Sequence, residues 1–346
     1  MNYIALKDVC TINMGQSPES SSYNEIGDGI PFFQGNADFG ERYPITRVWC
    51  NKPTKVAKAE DILISVRAPI GAMNYAKEKC CIGRGVAALT PNEEKVSSEF
   101  IFWLLKGKNN ELNQKGTGST FKAIGRKVLE EIQVPEINLE LQRKYASNLE
   151  RIYSIIQDRQ RQLEQLDKLV RARFVEMFGD CVINPKGWNT QSLEDISAVG
   201  SSKRVFVEEL QETGIPFYRG TEVGALAEGR QISPELFITK EHYKELCKAT
   251  GTPQIGDLLM PSICPDGRIW MVNTNMPFYF KDGRVLWVHA IDKNYNPIFL
   301  LYTLKDRIMT DYNSIASGTT FAELKIFALK KCQIFNVPIA LQNQFA

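Results

Sequence analysis

The sequence predicts an α+β protein in which two homologous α/β domains are joined by a long helix of the coiled-coil type. Three observations support this fold class. The chain repeats itself, short runs rich in β-branched and aromatic residues recur in both copies, and residues 138–180 contain no proline and only one glycine. The length of 346 residues suits two domains of roughly 130 to 160 residues and a connector.

The internal repeat extends over most of the chain and keeps its order. TGSTF at 117–121 returns as SGTTF at 317–321, and this similarity continues to residues 134 and 334. Between the first and last matched segments the offset drifts from 185 to 200 residues, which predicts tandem domains that differ by loop insertions. The upstream matches are GIPFFQG at 29–35 with GIPFYRG at 214–220, and EDILISVRAPIG at 60–71 with GDLLMPSICPDG at 256–267.

Local composition predicts the elements of each copy. Strands are expected at ILISV and VAALT in the first copy and at DLLMPSI and VLWVHAI in the second, because these runs are bounded by Gly, Pro and Asp. A helix, FIFWLLKG in the first copy and IFLLYTLKD in the second, follows them. Each copy is therefore expected to mix short strands, loops and helix.

The segment 138–180 predicts one helix about 60 Å long, more than a simple linker needs. Apolar side chains recur along it in steps of four and three, a heptad seam interrupted by Arg159 and Arg173. Such a seam needs a partner helix, and the two arginines are expected to pair with acidic residues of that helix or of another subunit. The seam residues are Tyr145, Leu149, Ile152, Ile156, Leu163, Leu166, Val170 and Met177.

These features define the domain organisation. Residues 1–137 form the first domain, 138–180 the long spacer helix and 181–337 the second domain. The C-terminal stretch VPIALQNQFA matches VPEINLELQRKYA, with which the long helix begins. Residues 338–346 are therefore predicted to be the start of a second helix.

Composition narrows the class of protein. No run approaches the ~18 apolar residues of a membrane span, and the N-terminus lacks the pattern of a signal peptide. Eight cysteines are scattered without a C-x-x-C pair, as in proteins of a reducing compartment, so we expect a cytoplasmic protein. The net charge of +2 neither requires nor excludes a nucleic-acid partner.

Two motifs that suggest catalysis are better explained as structure. NPIF at 296–299 looks like the motif that holds a flipped adenine in amino-methyltransferases. Its counterpart in the first copy is SSEF at 97–100, so both are predicted to cap a helix. CIGRGVAAL at 81–89 lacks a P-loop lysine and a full dinucleotide fingerprint, and it predicts a turn that enters a strand.

Metal and triad chemistry are also poorly supported. Asp266, Glu323 and Lys325 only weakly imitate the carboxylate and lysine set of a nuclease. The two histidines, His242 and His289, have no cysteine or acidic cluster at ligand spacing, so they are predicted to be a surface and a strand residue. No catalytic residue and no metal site are predicted.

The order of domain, long helix, domain and start of a second helix resembles the DNA-specificity subunit of type I restriction-modification systems. The resemblance covers essentially the whole chain in two copies. The residues that carry it are GSTF and SGTTF ahead of a helix, Val134-Pro135 with Gln142, Val337-Pro338 with Gln342, and the helix end LDKLVRARFVEMFGD at 166–180.

This resemblance implies two target-recognition domains that each read half of a split site in double-stranded DNA. It implies an antiparallel helix pair that fixes the gap between the half-sites and docks methyltransferase (modification) subunits and, through them, the restriction subunit. Adenine-N6 methylation and DNA cleavage would belong to those partners, together with S-adenosylmethionine, ATP and Mg. The chain itself would be noncatalytic and hold no cofactor.

The sequence departs from the resemblance at the second helix, which family members usually complete. Three alternatives stay open: a truncated reading frame, completion by a separate C-terminal fragment, and self-association through the seam. The alternative function is a coiled-coil scaffold that carries two protein-binding domains and does not bind DNA. A methyltransferase in its own right is disfavoured because no cofactor motif is present.

Candidate DNA contacts lie in matched loops of the two copies. Arginine typically reads guanine, and asparagine or glutamine reads adenine, so FFQGN and FYRGT are expected to carry unequal base readers on equal scaffolds. The TGSTF and SGTTF loops are expected to cap a helix, with Phe121 or Phe321 as a hydrophobic staple, and phosphate binding by their hydroxyls is the alternative; the two roles are compatible. The predicted DNA-binding residues are Gln34, Asn36, Arg67, Arg84, Ser119, Thr120, Arg219, Thr221, Arg268, Arg284, Thr319 and Thr320. Plain loop polarity is the alternative for the FFQGN and FYRGT residues, and a solvated turn or an internal salt bridge is the alternative for the other four arginines.

Overall fold

A computed structural model describes residues 2–118, 122–318 and 322–346 of the chain. Within them the chain forms two compact units that divide between Arg161 and Gln162. The division lies inside one continuous 40-residue helix, Leu139–Phe178, which confirms the helix predicted over 138–180. No helix among the described residues is long and apolar enough to cross a bilayer.

The first unit contains short strands followed by helices. Its elements in chain order are β1 Tyr3–Ala5, β2 Cys10–Met14, β3 Tyr23–Asn24, β4 Ile30–Phe33, β5 Trp49–Cys50, β6 Val56–Ala57, β7 Ile62–Ser65, β8 Met73–Tyr75, β9 Cys80–Ile82, β10 Val86–Pro91, α1 Ser98–Gly107, α2 Asn109–Gln114, α3 Arg126–Glu130, β11 Gln133–Pro135 and α4 Leu139–Phe178.

The second unit repeats this order with two additional helices. Its elements after α4 are β12 Thr190–Ser192, α5 Leu193–Ile196, β13 Ala198–Gly200, β14 Ile215–Tyr218, α6 Gly220–Ala227, β15 Phe237–Ile238, α7 Lys240–Thr250, β16 Leu258–Pro261, β17 Trp270–Met271, β18 Tyr279–Phe280, β19 Val285–His289, α8 Pro297–Ile315, β20 Ala316–Ser317, β21 Glu323–Leu324, α9 Ile326–Lys330, β22 Gln333–Phe335 and α10 Ile339–Phe345.

Sheet topology confirms the duplication. Each unit has a four-stranded antiparallel sheet with the same strand order, β2-β10-β7-β8 in the first and β13-β19-β16-β17 in the second. A second sheet in each unit contains one parallel pair, β4 with β9 and β14 with β18. A third pairing joins the first and last strands of each unit, β1 with β11 and β12 with β22. The strands and helices predicted from the paired runs are all present.

The central strands are apolar without alternation because both sheet faces are covered. In β7 the side chains of Ile62 and Ile64 belong to the main core of the first unit, whereas Leu63 belongs to a second cluster on the other face. All three are fully buried. A strand with two buried faces reads as a continuous apolar run, which explains ILISV and its counterpart DLLMPSI.

A helix cap accounts for NPIF, which suggested catalysis, and for its counterpart SSEF. The hydroxyl of Ser97 accepts a hydrogen bond from the backbone N–H of Phe100 at the start of α1. At the start of α8, Oδ1 of Asn296 accepts from the backbone N–H of Ile298 at 2.8 Å, and Pro297 occupies the first helical position. Both are standard helix N-termini, as predicted from the repeat.

A buried glutamine ties the beginning of α4 to the beginning of α1. The side chain of Gln142 is 1% exposed, and its Oε1 accepts a hydrogen bond from the Ser97 backbone N–H at 2.9 Å. Its Nε2 donates to the carbonyl oxygens of Ile137 at 2.8 Å and Lys95 at 3.2 Å. One side chain therefore satisfies three backbone groups at this joint.

The second unit contains the same joint at α10. Oε1 of Gln342 accepts from the Asn296 backbone N–H at 2.8 Å, and Nε2 donates to the carbonyl oxygens of Val337 and Asn294 at 2.7 and 3.0 Å. Gln342 is also fully buried. The paired Val-Pro and Leu-Gln motifs of the sequence are thus two copies of one structural joint.

The α4 seam remains largely exposed in this chain. Leu149, Ile152 and Leu163 are 42%, 55% and 64% exposed, and Tyr145, Ile156 and Leu166 lie in the same range. Two members depart from the predicted pattern: Val170 is half-buried, and Met177 packs against the core of the second unit. Its neighbours Phe174 and Phe178 are fully buried in that core, so the last turns of α4 belong to the unit's interior.

Cations on α4 form ion pairs with carboxylates of their own unit. Arg161 pairs with Glu41 at 2.7 Å, and Arg171 pairs with Asp306 at 3.0 Å. Arg173 pairs with Glu176 one turn away. The partners of Arg161 and Arg171 lie far away in sequence, so no pattern within the helix predicts these two pairs.

Candidate nucleic-acid interface

One cleft in the second unit is lined by all the described residues of that unit that were predicted to contact DNA. The cleft has a volume of about 580 Å³ and is lined by Arg219, Thr221, Arg268 and Arg284. Apolar side chains such as Phe217 and the edges of the neighbouring loops complete its walls. Residues that are 65 positions apart in sequence therefore share one concave surface.

These side chains lie next to the ends of strands. Arg219 directly follows β14 and is the N-cap residue of α6, while Arg284 directly precedes β19. The backbone N–H of Ser262, at the end of β16, donates to the carbonyl oxygen of Arg284 at 2.9 Å. The N–H of Leu324 in turn donates to the Ser262 carbonyl at 2.7 Å, which brings β21 to the same edge.

Each arginine of the cleft is held by carboxylates. Arg219 donates from Nη2 and Nε to Glu222, at 2.6 and 3.2 Å, and more weakly to Glu235. The second, Arg268, pairs with Asp266 at 2.8 Å and lies 3.8 Å from Glu228. The third, Arg284, pairs with Glu323. The local charge is thus nearly balanced, and the guanidinium groups are oriented before any ligand binds.

The pKa shifts follow these contacts. Burial would raise the pKa of Glu222, but hydrogen bonds from the side chain and backbone of Arg219 outweigh it and lower the pKa to about 2. A hydrogen bond from Lys325, together with the charge of Arg284, lowers the pKa of Glu323. The pKa of Arg268 is raised mainly by its hydrogen bond with Asp266. All these groups are therefore charged at neutral pH.

The first unit places its candidates at the equivalent edge. Arg67 lies two residues after β7, and Arg84 lies in the turn between β9 and β10, as predicted for CIGRGVAAL. The backbone N–H of Val66 donates to the Gly85 carbonyl at 2.9 Å, the same contact that Ser262 and Arg284 make in the second unit. Gly85 also approaches Gln34 so closely that a Cβ there would lie 2.2 Å from the Gln34 carbonyl oxygen.

The two edges differ in how their polar side chains are held. The side chains of Arg67 and Arg84 are exposed and make no ion pair with any residue that the structure describes. Gln34 is exposed as well, and Asn36 is half-buried in the following turn. The first unit thus presents exposed cations without a described ion pair and polar amides, whereas the second presents guanidinium groups fixed by carboxylates.

Four nominated hydroxyl residues, Ser119, Thr120, Thr319 and Thr320, lie outside the described residues, as do both loop phenylalanines. The ends of the loops are described. Thr117 forms an antiparallel bridge with Ala123, and Ser317 pairs with Glu323. Both repeated loops therefore leave and re-enter the fold at the edge that carries the other candidates.

Sequence reasoning missed Glu222 and Lys281. Glu222 was signalled by the pattern RGTE, since an acidic residue three positions after a helix N-cap commonly turns back onto the cap. Lys281 lines the cleft because β18 pairs in parallel with β14, and no local pattern in the sequence predicts that pairing. Lys281 directly follows β18 and Arg219 directly follows β14, so both lie at the same end of the paired strands.

Residues considered for other chemistry occupy structural positions. His289 lies in β19 with its ring stacked on Trp287 at 3.7 Å, and His242 lies on α7 near Glu209. Lys325 forms an ion pair with Glu323. Among the described residues, no group of three or more His, Cys, Asp or Glu side chains is arranged to hold a metal ion.

Comparison with known proteins identifies relatives of both units. Residues 1–166 match the family "Type I restriction modification DNA specificity domain". A protein of Methanocaldococcus jannaschii, provisionally named the type I restriction enzyme MjaX specificity subunit, is 48% identical over 45% of this chain. The chain spans only 37% of that relative's length.

Two further similarities extend over nearly the whole chain. The type I restriction enzyme MjaIX specificity subunit of the same organism is 27% identical over 98% of this chain and 84% of its own length. The crystal structure of the S subunit of a type I restriction-modification system from M. genitalium has the same fold, with a TM-score of 0.58 and 14% identity over 99% of this chain and 87% of that one. Residues 1–166 therefore match a type I DNA-specificity domain, and the chain as a whole is similar to a type I restriction enzyme specificity subunit.

Proposed function

We propose that this chain is a noncatalytic DNA-specificity subunit that binds a bipartite site in double-stranded DNA, with one half-site read by each unit. The observation that carries the proposal is the equivalent placement of the candidate DNA contacts. Both units present them where β4 or β14 ends and β10 or β19 begins, yet the side chains differ. Equal scaffolds with unequal polar side chains fit two different half-sites.

The chemistry of the two edges suits base edges and phosphates. Amide side chains such as Gln34 match the donor and acceptor pair of adenine, and guanidinium groups such as Arg219 match the two acceptors of guanine. The exposed Arg67 and Arg84 suit phosphate contacts, which position a protein on the duplex without reading sequence. The first unit should therefore contribute more of the salt dependence of binding.

The exposed seam of α4 supports the second part of the proposal, the docking of modification subunits and, through them, a restriction subunit. Six apolar side chains between Tyr145 and Leu166 lie on the surface of a single helix. Apolar stripes of this extent normally mark an interaction site. S-adenosylmethionine, ATP and Mg are assigned to the partner subunits, and none of them to this chain.

A methylation map tests the proposal most directly. The full chain is expressed with a modification subunit in cells that lack adenine methylation, and N6-methyladenine is mapped on plasmid DNA. A split, asymmetric motif is the expected result. A palindromic split motif would mean that one unit is used twice through pairing of chains. No methylation from a folded, soluble chain would refute the proposal for this chain.

A paired variant separates docking from reading. Leu149→Glu combined with Leu163→Glu places two charges on the seam, and both positions are exposed, so unfolding should change by less than about 0.5 kcal/mol. Methylation and co-purification with the modification subunit should be lost together. Retention of both would show that the seam is not the docking surface. DNA binding without salt dependence or sequence preference would instead favour the protein-binding scaffold.

A further inference from the structure

The second unit holds Arg219 in a clamp that the first unit lacks. Oε1 of Glu222 accepts from Nη2 of Arg219 at 2.6 Å, and Oε2 accepts from its Nε at 3.2 Å. Oε2 also accepts from the backbone N–H of Arg219 at 2.8 Å and from the hydroxyl of Thr221 at 2.9 Å. The Glu222 side chain is only 13% exposed, whereas that of Arg219 is 43% exposed.

In the matched loop of the first unit an aspartate, Asp38, binds the loop backbone as this glutamate does. Oδ2 of Asp38 accepts from the backbone N–H groups of Gln34 and Gly35 at 2.6 and 3.3 Å. No hydrogen bond joins this carboxylate to the Gln34 side chain, which is exposed. A carboxylate thus fixes the loop backbone in both units, and the longer glutamate of the second unit fixes the side chain as well.

We propose that Arg219 reads a guanine in the second half-site and that Glu222 is the positioning residue that orients Arg219 for this contact. This inference rests on the proposed function. The clamp uses the Nε and Nη2 edge of the guanidinium, and no described residue accepts a hydrogen bond from Nη1. The second N–H of Nη2 makes only a long contact of 3.4 Å with the exposed Glu235. Once DNA displaces that contact, Nη1 and Nη2 form a planar fork that matches O6 and N7 of guanine. Because the fork is oriented in advance, less side-chain entropy is lost on contact.

Glu222 itself does not suit a direct base contact. Its two oxygens already accept four hydrogen bonds from Arg219 and Thr221, and its side chain is mostly covered. An acceptor for the amino group of cytosine would need a free oxygen at the surface. The competing role is sequestration, in which Glu222 withholds Arg219 from DNA, and that role predicts opposite effects of mutation.

The experiment selects sequences from a randomised duplex library with the full chain, alone and with a modification subunit, and scores the preference for each base at each position. The wild type should favour guanine at one position of the second half-site by roughly 5- to 150-fold. Arg219→Lys keeps the charge but removes the planar fork, so this ratio should fall to within about threefold while overall affinity is largely kept.

Glu222→Asp is the decisive variant because it mimics Asp38. The shorter side chain can still accept from the loop backbone but withdraws from the guanidinium, so the fold is kept and the guanine ratio should fall as in Arg219→Lys. Glu222→Gln should give the same loss. Glu245→Gln, on an exposed face of α7, removes the same charge and should leave every ratio unchanged.

The outcomes separate this inference from the proposed function. If the wild type selects no sequence under either condition, the proposed function fails. If it selects a split site but Arg219→Lys keeps every base ratio, the assignment of Arg219 is wrong. If Glu222→Asp and Glu222→Gln keep the guanine ratio and tighten binding to all duplexes, Glu222 sequesters Arg219 and the positioning role is overturned. Preferences at the first half-site should be the same in all variants.

Discussion

Replacement of Gln142 by methionine tests the joint between the first unit and α4. Methionine keeps an unbranched side chain of similar length but cannot form hydrogen bonds. Three backbone groups, the Ser97 N–H and the carbonyls of Lys95 and Ile137, lose their partner in a buried site. At about 1 kcal/mol for each lost bond, the first unit should lose about 3 kcal/mol of unfolding free energy.

Hydrogen exchange measured by mass spectrometry resolves this loss because it reports each unit separately. A loss of about 3 kcal/mol corresponds to roughly 150-fold faster exchange of the slowest amides in β7 and β10. Peptides from β16 and β19 should be unaffected in Gln142→Met, and the pattern should reverse in Gln342→Met.

The control is Gln133→Met, at an exposed position whose side chain makes one hydrogen bond, to the carbonyl of Glu131. It should change unfolding free energy by less than about 0.5 kcal/mol. The reasoning would be refuted by an acceleration below about fivefold in Gln142→Met, or by an equal acceleration in the control. Either result would mean that water or rearranged backbone replaces the glutamine at little cost.

Three further outcomes are expected. The pKa of Glu222 is lowered from 4.5 to about 2, so its ionised form stabilises the fold fully above pH 4.5. That stabilisation is lost as the pH falls through 2. In calorimetry, the difference in melting temperature between the wild type and Glu222→Gln should therefore shrink from pH 4.5 to pH 2. Arg171→Ala leaves the carboxylate of Asp306, only 4% exposed, without its ion-pair partner and should destabilise the second unit by about 3 kcal/mol in hydrogen exchange, whereas Arg161→Ala, with a half-exposed partner, should cost less than about 1 kcal/mol. A thiol reagent should modify native protein first at Cys247, the one partly exposed cysteine of the eight, and equal rates at the others would contradict the described packing.

Most of the architecture could be predicted from the sequence because each copy of the repeat checks the interpretation of the other. The Val-Pro and Leu-Gln motif occurs in both copies, and the joint at Gln142 and Gln342 gives the physical reason. The repeat also distinguished helix caps at Ser97 and Asn296 from catalytic motifs. Local patterns that recur in order therefore gave element types and their sequence positions.

The remaining features depend on contacts between residues that are distant in sequence. No pattern near Arg171 shows that Asp306 lies beside it, and none near Arg284 shows that Glu323 does. Arg219 and Arg268, by contrast, pair with carboxylates that are only two or three residues away in sequence. Met177 fitted the heptad seam by spacing, yet the fold places it against the core because its helix turn also carries Phe174 and Phe178.

The orientation of β10 has a consequence for how this protein can diversify. The strand begins next to Arg84 and Gly85 and ends shortly before Ser97, where Gln142 is attached, and β19 runs in the same way from Arg284 towards Asn296. Six residues of β10 and five of β19, roughly 17 to 20 Å of strand, thus separate the candidate DNA-contact edge from the glutamine joint of each unit. Under the proposed function, substitutions that change base preference at the edge should leave the packing around Gln142 or Gln342 intact. Each unit could then acquire a new specificity while keeping its attachment to the helix.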